Sequence, residues 1–277
     1  MYGASLKGHR FFPEEPIVTV KGPVIQAQFV ETMVLLLINH QSLIATKANR
    51  IVRAAKGRGV MEFGTRRAHG TAAAAYGSRA AYIGGCIGTA CTVADRDFGI
   101  KALGTMAHSW VQMYDSEYEA FKMYAETYPD NCTLLVDTYN VLKSGIPNAI
   151  RVFKETKPKK MAIRIDSGDI SYLTKRSREL LDEAGLKDCK IVVSNSLDEY
   201  IINDVIAQGA AIDIFGVGER LITAKSDPVF GGVYKLAALE IDGKMIPKMK
   251  VSENVDKITN PGFKTLYRLF SKKTNRC

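Results

Sequence analysis

The sequence predicts an α/β fold: a β/α barrel over about residues 59–227, with β-rich material from both chain ends beside it. Three observations carry this. Six short apolar, β-branched runs each end abruptly in polar residues and glycines: Glu62–Phe63–Gly64–Thr65–Arg66–Arg67, Gly104–Thr105–Met106–Ala107–His108–Ser109, Asp137–Thr138, Arg164–Ile165–Asp166–Ser167–Gly168–Asp169, Ser194–Asn195 and Gly216–Val217–Gly218. Helical patterns separate the runs, at a spacing of roughly 20 to 40 residues that βαβ crossovers require. After Pro228 the pattern changes to hairpin-like alternation. Parallel strands bring their C-terminal ends to one mouth, so polar clusters at that position describe a single active site.

Each element has its own signal. Pro13, Pro16 and Pro23 mark turns between short extended pieces. Gln26 to Ala55 reads as one long helix or two, with Phe29, Met33, Leu36, Leu37, Ile44 and Ile51 on a broad apolar face. Val60–Phe63 is a strand and Ala72–Ile83 an Ala-rich helix; Gly99–Leu103 leads into a strand, and Asp115 caps the helix carrying Tyr118, Phe121 and Ala125. Thr133–Val136 is a strand, followed by a helix from about Tyr139 to Phe153. Met161–Ile165 is the next strand, and its helix ends at Gly185. Ile191–Val193 precedes a helix with Ser196 and Glu199 spaced as a capping box, and Ile212–Phe215 closes the series. Val233–Leu239 and Met245–Val251 flank Asp242–Gly243, a hairpin signal.

Bulk properties exclude several classes. With 277 residues, 46% of them hydrophobic, the chain can bury a large core. No apolar run reads as membrane-spanning: Phe29 to Asn39 is short and interrupted by Glu31. Met1–Arg10 lacks an apolar signal core, and five cysteines without a CxxC point to reduced thiols, so we expect a cytoplasmic protein with no membrane partner. The net charge is +9, but nine Lys/Arg against two Asp/Glu fall between Lys244 and Cys277. Apolar residues interleave that basic tail, which suits a folded β appendage with a solvated face rather than a nucleic-acid arm.

Several strand ends carry chemistry. A lone histidine past a strand most often packs or starts a helix, but five other polar ends on the same rim favour a functional His108. Alternation along a strand points Arg164 and Asp166 to one side, where they would clamp an anionic substrate and stabilise an electron-poor sugar carbon. Asp169 is read as the cap of the next helix, and Asp137 as a third rim carboxylate or an N-cap. Gly216 to Gly218 and Gly231–Gly232 are weak signals alone, although late βα loops commonly offer backbone N–H groups to phosphate. Phe63, beside Arg66, is either core or a ring that stacks on a flat ligand.

Taken together, Glu62–Arg67, Gly104–His108, Arg164–Asp169, Phe215–Gly218 and Gly231–Leu236 closely resemble the nicotinate phosphoribosyltransferase family. The similarity extends to Glu15–Pro16, Leu43–Ala48, Asp137–Gly145 and Ser194–Tyr200, and so covers nearly the whole chain. The resemblance implies a type II phosphoribosyltransferase: an irregular β/α barrel with a flanking α/β domain, here partial and β-rich, built from both chain ends. On that reading residues 1–58 hold part of the flanking domain and linking helices, 59–227 the barrel, and 228–277 a β-rich return. It also implies synthesis of nicotinate mononucleotide and diphosphate from nicotinate and phosphoribosyl diphosphate (PRPP), coupled to ATP hydrolysis, with Mg²⁺, in a homodimer with shared sites. By position, His108 matches the histidine that ATP phosphorylates. Thr105 and Arg164 match nicotinate-binding residues, Phe63 the stacking ring with Arg66 beside it. Asp137 and Asp166 match carboxylates near the ribose, the diphosphate and its Mg²⁺. Asn195, Gly216 and Gly218 fall where the 5′-phosphoribosyl group would bind.

Two departures stand out. Relatives have an N-terminal segment before Phe11–Pro16, with a tyrosine that closes over the pyridine, which Met1–Arg10 does not resemble; the chain also stops at Cys277, short of the usual C-terminal region. Glu219 stands where many relatives carry a threonine near PRPP, and is left out of the site. Two alternatives stay open. A nicotinamide phosphoribosyltransferase would place an aspartate near the base, where this chain has the acid-free Gly88–Thr89–Ala90–Cys91. A truncated, non-catalytic homologue would act only in binding or subunit interaction, and without the segment that closes the base pocket the chain as it stands is expected to be inactive or very weakly active.

Overall fold

The computed structural model describes residues 3–4, 8–254, 258–267, 269 and 271–272. Part of Met1–Arg10, several of the predicted tail charges (Asp256, Lys257, Arg268, Lys273, Arg276) and Cys277 lie outside the described residues. The chain divides into two units: His40–Phe230, and a second made of Met1–Asn39 with Gly231–Cys277.

Along the chain, β1 (Gly3–Ala4) pairs antiparallel with β2 (Val18–Thr19), then come α1 (Val24–Phe29) and α2 (Glu31–Ala54). The predicted single apolar face does not persist along this pair. Ile44, Ala48 and Ile51 are buried in the core of the larger unit, while Phe29, Met33, Leu36 and Leu37 are exposed. The helical run Val24–Ala54 falls within two residues of the predicted Gln26–Ala55, but against the expectation that no run reads as membrane-spanning, by length and composition it could cross a membrane, with an 18-residue window of mean hydropathy 1.3. Its later part is a core helix, since Lys47 there makes a buried ion pair with Glu199.

The larger unit continues with β3 (Gly59–Glu62), α3 (Thr71–Ile83), β4 (Gly88–Thr89), α4 (Thr92–Phe98), α5 (His108–Gln112), α6 (Glu117–Thr127) and β5 (Cys132–Leu135). Then follow α7 (Ile146–Thr156), β6 (Met161–Ile165), α8 (Ile170–Glu183), β7 (Lys190–Val193), α9 (Glu199–Ala207), β8 (Ile214–Val217) and α10 (Glu219–Ile222). The strands form one curled parallel sheet in the order β4-β3-β8-β7-β6-β5. It is a half-barrel: among the described residues β4 and β5 are its edges.

Strand parity sorts the residues. Val60, Ile163, Ile165, Ile191, Val193, Phe215 and Val217 point to the helix-covered side and join the main core. Met61, Ala162 and Val192 point the other way and form a small separate cluster with Phe63, Leu103 and Ile214. One step further along those inward columns come Arg164, Ser194 and Gly216. The polar residues therefore stand on an apolar floor.

Local chemistry moves several predicted boundaries. The strand expected over Gly99–Leu103 reduces to one parallel bridge, Ala102 with Thr89, and the two-residue β4 had no apolar run to announce it. The cap of α6 is Ser116, which accepts from Glu119 N at 3.2 Å, rather than Asp115. The cap of α9 is Asp198, not Ser196. The helix expected from Tyr139 opens as a π-turn over Val141–Gly145, where Gly145 N donates to Asn140 O at 2.9 Å, before α7. The last strand lies two residues later than expected, because Asp213 fixes the preceding edge by accepting from Ile191 N (2.9 Å) and Lys190 Nζ (3.0 Å).

In the smaller unit β9 (Ala238–Ile241) and β10 (Lys244–Pro247) form the predicted hairpin. Asp242 and Gly243 turn it with φ of 49° and 74°, the type I′ geometry that Asp-Gly favours. The strands are shorter than the alternating pattern suggests, and Tyr234 donates its hydroxyl to Ala27 O at 2.7 Å.

Candidate active site

Arg164 is the centre of the arrangement. Its inward position on β6 directs three donors to two strand ends and the segment before α5: Nε to Ser194 Oγ (2.8 Å), Nη2 to Asp166 Oδ1 (2.9 Å) and Nη1 to Thr105 Oγ1 (2.7 Å). Ser194 also donates to Asp166 Oδ1. The guanidinium carbon lies 5.6 Å from the centroid of the Phe63 ring. Phe63 in turn depends on Gly216, because a Cβ there would sit 2.6 Å from two of its ring carbons. A guanidinium cation and an aromatic ring thus meet at the mouth, a pairing suited to a planar anion.

The second half of the site is acidic. Asp137, just past β5, accepts from Asp166 N (2.9 Å) and Ser167 Oγ (2.6 Å) through Oδ2. Its Oδ1 is buried without a hydrogen-bond partner. His108, the first residue of α5, turns Nδ1 to Thr138 Oγ1 at 3.1 Å, which leaves Nε2 3.9 Å from Asp137 Oδ1 and 3.8 Å from Asp166 Oδ2. The imidazole remains 43% exposed and is open to a ligand. Burial pushes the Asp166 carboxyl up, but the Ser194 hydrogen bond and the Arg164 charge outweigh it and hold the group below its ordinary range. It is therefore an anion across the neutral range.

The predicted residues fall in three groups. His108, Asp137, Asp166, Thr105, Arg164 and Phe63 are joined through the contacts above. Arg66 is exposed on the short 3₁₀ turn Thr65–Arg67 that follows β3. Asn195 is exposed after β7, with φ of 88°, and Ser196 follows at 48°; Gly216 lies inside β8 and Gly218 at the N-cap of α10. Asp169 caps α8 through Tyr172 N at 3.0 Å, as expected. Gly231 and Gly232 belong to the other unit.

Glu62, although part of a polar strand end, points away from the mouth. It is fully buried and accepts from Gly64 N, Ser78 Oγ (3.0 Å) and Thr89 Oγ1 (2.5 Å). Burial raises its pKa against the lowering effect of those bonds. Three residues were missed by sequence reasoning as site members: Ser194, Thr138 and Ser167. All sit in the polar strand ends, and the parity of Ser194 with inward Val192 was the available signal. The four described cysteines are free and buried; burial pushes Cys86, Cys132 and Cys189 up to about 12, so they stay neutral thiols.

A curled parallel sheet with an arginine, two carboxylates and a histidine at its strand C-terminal ends places the protein in the β/α-barrel class whose sites form at that mouth. Residues 59–268 match the nicotinate phosphoribosyltransferase (NAPRTase) family. A nicotinate phosphoribosyltransferase of Bacillus subtilis (strain 168) is 50% identical over 267 residues, an overlap of 96% of this chain and 54% of that protein. The crystal structure of human nicotinic acid phosphoribosyltransferase superposes with a TM-score of 0.72 at 26% identity, covering 78% of this chain and 55% of that one. A nicotinate-nucleotide pyrophosphorylase from Pyrococcus furiosus superposes with a TM-score of 0.70 at 28% identity, covering 90% and 69%. The chain belongs to the nicotinate phosphoribosyltransferase family. It spans about half the length of the curated relatives it matches.

Proposed function

We propose that this chain carries the barrel part of an ATP-coupled nicotinate phosphoribosyltransferase, which converts nicotinate, PRPP, ATP and water to nicotinate mononucleotide, diphosphate, ADP and phosphate. The observation that supports it most is Arg164, its guanidinium carbon 5.6 Å from the Phe63 ring centroid and its donors braced by Thr105, Ser194 and Asp166. Phe63 stacks on the pyridine, Arg164 and Thr105 receive its carboxylate, and Arg66 closes the same edge. Loss of diphosphate from the ribose C1 develops positive charge on the sugar, which Asp137 and Asp166 stabilise. Asn195, Gly216 and Gly218 receive the 5′-phosphate.

His108 couples the reaction to ATP. Its Nε2 lone pair attacks the γ-phosphorus, the bond to the ADP oxygen breaks, and ADP leaves; water later takes the phosphoryl group and restores the imidazole. Thr138 at Nδ1 orients the ring for this step. Mg²⁺ fits the donor set as a cation brought in with the diphosphate. The partnerless Asp137 Oδ1 and Asp166 Oδ2 both face the His108 side of the site, and Mg²⁺ typically uses one or two carboxylates plus substrate phosphates. Among the described residues no cluster of three or more His, Cys, Asp or Glu offers a cage of its own. When bound, the cation neutralises charge on the leaving group.

Nicotinate is favoured over nicotinamide because the Gly88–Cys91 stretch has no acid and its Thr89 hydroxyl is turned away from the mouth, donating to Glu62. A cytoplasmic homodimer is the setting this reading takes from the family, and the free thiols agree with a reducing compartment. The test is ATP-dependent formation of nicotinate mononucleotide, run with γ-labelled ATP. An acid-labile, alkali-stable label absent from His108→Ala is expected; label persisting in that variant sinks the assignment.

A further inference from the structure

The loop after β7 and the start of α10 would both face the phosphoribosyl group, yet they belong to different strands. One buried side chain ties them. Asp198 Oδ1 accepts from Tyr200 N (3.1 Å) and Ile201 N (2.9 Å), capping α9, while Oδ2 accepts from Arg220 Nη1. The Asp198 side chain is 12% exposed and that of Arg220 27%, so the pair is largely withdrawn from water. Arg220 is only two residues beyond Gly218, and the bonds from Leu221 N and Ile222 N to Gly218 O (both 3.1 Å) fix it to that glycine.

On the other side of Asp198, Asn195 and Ser196 have φ of 88° and 48°, a region that asparagine tolerates better than most side chains and serine adopts rarely. Such a turn persists only when both flanks are fixed. Ser194 N donates to Ile165 O at 3.0 Å on one flank, and buried Leu197 with Asp198 forms the other. Glu199 completes the anchor: its Oε2 is 2.7 Å from Lys47 Nζ of α2, with the two side chains 10% and 5% exposed.

We infer that Asp198 is a positioning residue: through Arg220 its carboxylate sets the spacing between Ser194–Ser196 and Gly216–Gly218, and thereby the fit of a phosphoribosyl diphosphate. The inference rests on the functional reading above. A cap alone would not need a charge, since asparagine caps as well as aspartate. The charge serves the link to Arg220.

The test uses Asp198→Asn, Arg220→Gln, Arg220→Lys and the double variant Asp198→Asn/Arg220→Gln, with PRPP and nicotinate binding measured separately by calorimetry. Asp198→Asn and Arg220→Gln should each weaken PRPP roughly tenfold, and the double variant no further, because the two groups act as one unit. Nicotinate should shift less than about twofold, and Arg220→Lys should recover part of the loss. Equal losses for both ligands, or PRPP binding unchanged in Asp198→Asn and Arg220→Gln, would overturn the inference alone. A wild-type chain that binds neither ligand would overturn the functional reading and this inference with it.

Discussion

Arg164 is a structural centre of the site, and on the proposed reading it is also the selective one. Three of its five N–H groups are used inside the protein, which fixes the plane of the guanidinium and leaves the remaining donors to a ligand. A charge-assisted bond to a carboxylate in such a partly dry site is worth roughly 1.5–3 kcal/mol, or about ten- to a hundredfold in affinity. In Arg164→Gln, nicotinate should therefore weaken far more than nicotinamide, and titration of both ligands checks it; equal losses would mean that Arg164 does not read the carboxylate. Asp166 gives a pH prediction of definite sign. Its folded pKa lies below the unfolded value of about 3.9, so its stabilisation is present above that pH and is lost as pH falls through the lower folded value. Urea unfolding near pH 6 and near pH 3 should show a larger acid loss in wild type than in Asp166→Asn. The sequence made both residues legible through their shared parity on β6, but it could not show that Ser194 and Thr105 would complete the set.

At the scale of elements, the close approach of β3 and β8 positions the aromatic wall. Gly216→Ala would place a methyl group 2.6 Å from the Phe63 ring, and overpacking of this kind costs about 1–3 kcal/mol. Thermal unfolding should register that loss together with weaker nicotinate binding. Gly104→Ala is the control, since a Cβ there meets nothing within 4 Å and stability should hold. Element identity was largely legible: a parallel strand buried on both faces reads as an apolar run, and β5, β6 and β7 were placed within a residue or two. Caps were less legible. Asp115 and Ser116, or Ser196 and Asp198, are equally good N-cap types, and only the backbone conformation selects between them. The π-turn at Val141–Gly145 was hidden for the same reason, because helical periodicity does not distinguish an i→i+4 from an i→i+5 bond.

For the whole molecule, the two units differ in how well they bury apolar surface. The larger encloses a continuous core, whereas the smaller leaves Val24, Ile25, Phe29, Met33, Leu36, Val233, Val251 and Phe263 exposed. Phe29 is 83% exposed and Leu36 63%. Exposed apolar area on this scale promotes association. The chain should bind a hydrophobic dye and sediment in a concentration-dependent way, and Phe29→Asp with Leu36→Asp should reduce both effects while the barrel's melting temperature holds. A melting temperature that falls with the dye signal would place these residues in a folded core instead.

The sequence by itself determined the α/β class, the order of the parallel strands' appearance and the residue types at their ends. These follow from local periodicity and from the rule that parallel sheets gather function at strand C-termini. Only the tertiary structure decided which of those residues meet. Strand parity and order carried Arg164, Ser194, Thr105 and Phe63 to one side of the sheet and turned Glu62 to the other. It also decided that α2 buries Ile44, Ala48 and Ile51 but exposes Met33, Leu36 and Leu37, as α1 exposes Phe29. Apolar side chains along one helix look alike in sequence, and their burial depends on whether another element covers them.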